Sequence, residues 1–247
     1  MIVKALQNMV SGAHARSCQR CNDWSGQAVA RLRPQSLLDV GCADGAFLFN
    51  YLNYKPARFS GIEAAPELMK QARARGIDVQ SVDLNGVWPY ADNSFEVVHC
   101  AQVIEHLHNT RLFAAEILRV LKPGGTALIT SENLTSFLNT FAMMMGYTPF
   151  TLMRCCGWYM GNPLGLHSGE HVAEGVPITD PAFAGVTGHV RALSVLQAQE
   201  LFEKVGFVNV RVSSIGLMPL PDFLGRALES AMYRRGHLLL IEAQKSK

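Results

Sequence analysis

Carboxylates and glycines at the ends of short apolar runs are the residues of this chain best placed to do chemistry. Asp39, Gly41, Cys42, Asp44 and Gly45 follow Leu37-Leu38 and precede Ala46-Phe47-Leu48, which reads as a buried strand, a tight turn and a helix start. Such a unit presents backbone N–H groups at the helix start, and glycine at two loop positions lets a ligand approach the main chain closely. A dinucleotide site wants G-x-G-x-x-G with nothing acidic beside the pyrophosphate. Here the third glycine is missing and two carboxylates flank the loop, so charge favours a ligand carrying ammonium or sulfonium. Glu63 closes the next apolar run about 20 residues after the first glycine, where a carboxylate meets ribose hydroxyls.

In order along the chain, LLDVGCADGAFL, GIEAAPELMKQAR, SVDLNGVWPYADNSFEVVHCAQVIEHL and LRVLKPGGTALIT resemble the motif series of the class I S-adenosylmethionine-dependent methyltransferases, over roughly residues 36–131. The resemblance implies an α/β fold: a doubly wound, mostly parallel, Rossmann-like sheet of seven strands with a C-terminal antiparallel hairpin and a helical lid insertion. It also implies S-adenosyl-L-methionine as cofactor and S-adenosyl-L-homocysteine as product. Asp39, Gly41, Cys42, Asp44 and Gly45 would then face the cofactor, with Glu63 on its ribose. Asp83 would accept from the adenine amino group, the Leu84 backbone would face the ring, and Gln102 would lie near the methionine half. Asp83 also reads as a turn residue beside Asn85-Gly86, and that alternative stays open.

The elements that must hold these residues follow from pattern. Strands are expected over 58–63, 77–82, 95–101 and 126–130, with helices from Pro66 to Arg75 and from Arg111 to Leu121, the latter capped by Thr110. Alternating strands and helices with short connections argue for a mostly parallel sheet. Ser194 and Gln197 form a capping box for a helix through Val205, and the segments 208–212 and 237–242 supply the hairpin. The N-terminal signals are weak: a helix over Gln27–Leu32 ending before Pro34, with His14 and Arg16 read as surface polar positions, although the resemblance also allows them to reach the methionine carboxylate from a lid. The expected organisation is a single methyltransferase domain over 1–247: an N-terminal helical lid segment 1–35, a cofactor-binding core 36–131, a substrate lid insertion 132–191 and a C-terminal helix and hairpin 192–247.

Composition excludes some classes. With 49% hydrophobic and 17% charged residues and a net charge of +2, the chain reads as globular, and it lacks the clustered Lys and Arg that nucleic-acid binding needs. No apolar run reaches the roughly 18 residues of a membrane span, and Gln7-Asn8 interrupt the N-terminal run before a secretory core forms. A cytoplasmic protein is expected, its six cysteines reduced, with a homo-oligomer left open. Cys18 and Cys21 form a lone C-x-x-C, read as ordinary thiols.

Methyl transfer from a sulfonium needs alignment of nucleophile, methyl and sulfur, and a base only where the acceptor atom is protonated. His106, His167, His171 and His189 are the candidate bases. The aromatic and Met-rich excursion after the fifth strand, from Phe137 to Met160, reads either as core or as the lining of an apolar acceptor pocket. The acceptor is accordingly expected to be a small or lipid-like molecule, methylated at oxygen. No metal is expected: His167-x-x-Glu170-His171 sits on no evident helix. Gln102-x-x-Glu105-His106 resembles an E-x-x-E-H metal signature but places Gln102 at its first carboxylate. The competing readings are an NAD-binding oxidoreductase and a cofactor-binding protein without transfer chemistry.

Overall fold

The computed structural model describes residues 2–152 and 189–247. Seven strands form one sheet in the order β3-β2-β1-β4-β5-β7-β6: β1 (Ser36–Val40), β2 (Arg58–Ile62), β3 (Asp78–Gln80), β4 (Phe95–Ala101), β5 (Leu121–Glu132), β6 (Val208–Ile215) and β7 (Leu238–Gln244). The first five run parallel, and β7 is antiparallel to both β5 and β6. The winding reverses between β1 and β4, which opens a crevice beyond their C-terminal ends, the usual ligand position in such sheets.

One face of the sheet packs Leu38, Val40, Val98, Cys100 and Ile129 against Phe113 and Ile117 of α4 (Thr110–Val120) and Ala198 and Phe202 of α6 (Val195–Val205). The other face is covered at Leu37, Val97 and Leu128 by Ala28 and Val29 of α1 (Ile2–Leu32), Leu48 of α2 (Ala46–Phe49), and Met69 and Ala72 of α3 (Pro66–Ala74). The strand boundaries, the Pro66 start and the Ser194–Gln197 capping box follow the sequence pattern.

Three elements differ from expectation. Asn109, rather than Thr110, caps α4: its side chain accepts from Leu112 N, and Thr110 is the first helical residue. β3 is shorter than its alternating run. α1 has 31 residues instead of a single short stretch before Pro34. Its periodicity was hidden because the middle of the buried side is polar: Ser17, Cys21 and Ser25 are buried, and His14, Cys18 and Asn22 half-buried, beside sheet residues that include Thr130 and Glu132.

The loop between β3 and β4 is tied to α4 by one guanidinium. Arg119 donates to the carbonyls of Trp88 and Tyr90 and pairs with Asp92 and Glu116, while Glu116 also accepts from Trp88 N. Burial pushes the Glu116 carboxyl up, but Arg119 and the Trp88 N–H outweigh it, and the group lies below its ordinary 4.5. Its contribution to stability is therefore present above that value and lost as pH falls through the lower folded-state value. Arg119→Met should cost about 3 kcal/mol at neutral pH by leaving Glu116 buried and unpaired. In the variant burial raises the Glu116 carboxyl, so the deficit should shrink below about pH 4.5. Thermal unfolding of both proteins across that range checks this; a pH-independent difference refutes it.

Candidate active site

The glycine loop after β1 is fixed by its own backbone. Gly41 N and Cys42 N both donate to Ile62 O, at 2.8 and 3.0 Å, stapling the end of β1 to the end of β2. Gly41 has φ +74°, and a Cβ there would stand 2.5 Å from Val103 Cγ2. Only glycine satisfies both conditions. Gly45 has φ +78° at the entry to α2, where a Cβ would lie 2.4 Å from Ile77 Cδ1. Burial first, and then the Asp39 carboxylate, push the Cys42 thiol up to about 12, so it stays protonated.

The loop carboxylates are already engaged. Asp39 is 3% exposed and its Oδ1 lies 2.7 Å from His99 Nδ1 beneath the loop. His99 Nε2 is buried without a hydrogen-bond partner among the described residues. Asp44 Oδ1 accepts from Ala46 N, and its Oδ2 pairs with Arg75 Nη2 at 3.0 Å. The Ala46 N–H and then Arg75 hold this carboxyl below the ordinary range.

Glu63 stands at the end of β2, half-buried. Its Oε1 accepts from Ala64 N and Ala65 N, and its Oε2 accepts from Ala43 N at 3.0 Å. A carboxylate has about four acceptor positions, so roughly one remains on Oε2, on the side of the glycine loop. Beyond β3, Asp83 Oδ1 accepts from both Asn85 nitrogens and closes a turn, while Leu84 packs half-buried against the core. Gln102 follows β4 with φ 55° and reaches Thr130 Oγ1 through its Nε2. Val103, next to it, is the residue that touches Gly41.

From Gln102 a cavity of about 160 Å³ extends beneath α1. Its walls include His14, Cys18 and Asn22 from α1, His106 from the 3₁₀ turn Ile104–His106, Glu132 from the end of β5, and His189. The His106 and His189 rings lie edge to face at 4.9 Å. His189 Nδ1 is 2.9 Å from Thr151 O, and because a carbonyl only accepts, Nδ1 carries the proton and Nε2 is the basic nitrogen of the neutral ring. Thr151 is held in turn by buried Asn139 of α5 (Phe137–Met144), which also binds Asn133 O and Phe150 N. At the other wall His14 Nε2 is 3.4 Å from Cys18 Sγ, its ring meets that of His237 at 5.1 Å, and His237 Nε2 lies 3.3 Å from Glu132 Oε2.

One further group of donors meets here. Glu105, 1% exposed, accepts from Ser131 Oγ, and Glu105, His106 and His189 can each bring one ligand atom within 4.8 Å of the others. His167, Glu170 and His171 lie outside the described residues. Cys21 is a buried free thiol, while Cys18 Sγ meets His14. Sequence reasoning took His14 for a surface position, Cys18 for an ordinary thiol and Glu105 for part of a metal signature it set aside, and it did not single out Asn22 or Glu132; all five line the cavity or stand beside it. The i, i+4, i+8 spacing of His14, Cys18 and Asn22 would have marked one helix face had α1 been read through.

Comparison with known proteins adds the family. A methyltransferase domain family matches residues 38–129. Ajmaline N-methyltransferase of Rauvolfia serpentina is 32% identical over 107 residues, which are 40% of this chain and 37% of that protein. A ubiquinone biosynthesis O-methyltransferase of Idiomarina loihiensis is 23% identical over 198 residues, 77% of this chain and 68% of that protein. At higher identity the chain thus spans well under half of the relative it matches. In fold it is similar to an S-adenosylmethionine-dependent methyltransferase from Mesorhizobium loti, at TM-score 0.57 and 18% identity over 91% of this chain and 98% of that one. It is likewise similar to one from Thermotoga maritima, at TM-score 0.56 and 16% identity over 92% and 90%. Residues 38–129 of this sheet thus match a methyltransferase domain family, and the whole chain shares the fold of S-adenosylmethionine-dependent methyltransferases.

Proposed function

We propose that the protein transfers the methyl group of S-adenosylmethionine to a hydroxyl on a small, ring-sized acceptor seated under α1. The observation that carries this reading is the cavity of about 160 Å³ that begins at Gln102 and holds the His106–His189 pair. Cavities near 150 Å³ accommodate one benzene-sized ring. The polar walls suit a ring carrying hydrogen-bonding groups, and a longer apolar tail would have to lie outside. The match to the methyltransferase family weighs against the NAD-dependent alternative, as does the absence of a third loop glycine. The O-methyltransferase relative spans most of this chain and supports oxygen.

The donor set fits the cofactor. Gly41 and Gly45 leave main chain open to close approach, Glu63 Oε2 keeps an acceptor position for a ribose hydroxyl, and Asp83 and Leu84 border the expected adenine position. Gln102 stands between the loop and the acceptor cavity. The cofactor supplies an electrophilic methyl already activated by the sulfonium charge. The protein's part is to align the acceptor oxygen for in-line attack, exclude water and take the hydroxyl proton. His189 Nε2, set by the Thr151 carbonyl, is placed to take that proton, with His106 beside it. A metal-assisted version is the second reading, favoured by the convergence of Glu105, His106 and His189: a divalent ion there would lower the pKa of a bound hydroxyl.

Two experiments test these assignments. Glu63→Gln should weaken S-adenosylhomocysteine binding about tenfold or more in calorimetric titration, whereas Asp44→Asn should change it less than about threefold because Arg75 already neutralises that carboxylate. Equal losses would show that loop charge, rather than the Glu63 contact, dominates.

Incubation with labelled cofactor and a panel of single-ring phenols should give ring methyl ethers, and His189→Gln should lower turnover about 100-fold with cofactor affinity unchanged. Methylation of amines alone overturns the oxygen assignment. Loss of activity on chelation, restored by a divalent ion, selects the metal-assisted form; unchanged activity selects the histidine base.

A further inference from the structure

The C-terminal end of α5 and the turn after it expose apolar side chains and carry no charge. Residues 133–152 contain no Lys, Arg, Asp or Glu. Within them Phe141, Met144, Met145 and Tyr147 are 58, 80, 60 and 43% exposed. Single exposed apolar side chains are ordinary on protein surfaces, but neighbouring ones in an uncharged segment mark an interaction site. Exposed Met9 of α1 belongs to an element that meets α5 in a small core of Val10, Ala13, Leu138, Ala142, Phe150 and Met218.

The described stretches that share the small core with α5 are basic. The stretches 1–22, 133–152 and 216–236 hold six cations, Lys4, Arg16, Arg20, Arg226, Arg234 and Arg235, against two acids, Asp222 and Glu229, a net of +4 in a chain whose total is +2. Glu229 is taken up by Arg20 and by Gly216 N. Arg234 and Arg235 are exposed, and the latter lies against α5 through Phe137 N to Arg235 O and Arg235 Nη1 to Thr135 O. An uncharged apolar tip within a basic surround matches an anionic bilayer, where acyl chains receive Phe and Met while headgroup phosphates meet Arg. A second copy of this chain would instead set cations against cations.

We propose that this end of the molecule docks on an anionic phospholipid surface, with Phe141, Met144, Met145 and Tyr147 inserted and Arg234 and Arg235 at the headgroups. His14 lies one turn along α1 from Val10 of the small core, so the cavity beneath α1 adjoins the docked end. A bilayer-borne acceptor would reach it over a short path. The docking itself does not depend on the transfer chemistry.

The test is co-sedimentation of the full chain with vesicles of phosphatidylcholine alone and of an equimolar mixture with phosphatidylglycerol. The protein should pellet with the mixed vesicles and stay in solution with the neutral ones. Met144→Glu with Met145→Glu should lower the bound fraction about tenfold, and Arg234→Gln with Arg235→Gln should lower it and flatten its salt dependence. Both pairs are exposed, so the thermal midpoint and S-adenosylhomocysteine affinity should hold, which separates failure of docking from failure of the enzyme reading. No pelleting with the mixed vesicles, or pelleting indifferent to the Met144→Glu and Met145→Glu pair, overturns the proposal. So does a dimer in sedimentation velocity that this pair of substitutions dissolves, which would assign the tip to a second copy.

Discussion

The contact at Gly41 is the constraint on which the site depends. Three strand ends converge there: β1 delivers the glycine, β2 accepts two of the loop's N–H groups through Ile62 O, and the segment after β4 presses Val103 against the position a side chain would occupy. The reversal of winding between β1 and β4 creates the crevice, but a crevice admits a ligand closely only if the first loop stays low. A positive φ with no Cβ keeps it low. Moving Gly41 would displace Val103, and with it Gln102, so the glycine loop and the mouth of the acceptor cavity are one mechanical unit.

Much of the sheet was legible because its strands are buried on both faces, which leaves short, continuous apolar runs with charged residues at their ends. Phe95–Ala101, Arg58–Ile62 and the closing hairpin stand where those runs predict. The acids at the ends of β2 and β3 were legible for the same reason. α1 was not. A helix is usually found by an apolar stripe, and here the stripe is made of serine, cysteine, histidine and asparagine facing a polar patch of sheet. The half of the acceptor cavity that α1 supplies was hidden with it. Asn109 in place of Thr110 as the cap of α4 is a smaller case: both residue types cap helices, and only the fold decides between neighbours.

Polar groups buried under and beside α1 would destabilise the protein if left unmatched, and several of them stand in pairs. Asp39 takes His99, Glu132 takes His237, Glu105 takes Ser131, and Ser17 donates to Ala13 O. A seam built in this way holds side chains in set orientations at low local dielectric. An apolar interface of the same area would pack α1 more firmly and would leave the cavity without polar walls.

The same pairing changes how charge acts at the cofactor crevice. Counting acids along the loop suggests that Asp39 and Asp44 meet a sulfonium ligand directly. Asp44 instead faces Arg75, where solvent and the guanidinium cancel most of its field. Asp39 sits beneath the loop, and its partner His99 has no acceptor for a second N–H among the described residues. In the proposed binding mode the direct contact falls to Glu63, which keeps one acceptor position on the side of the glycine loop. The two carboxylates thus stand in different settings, Glu63 half-buried at the crevice and Asp39 buried under the loop.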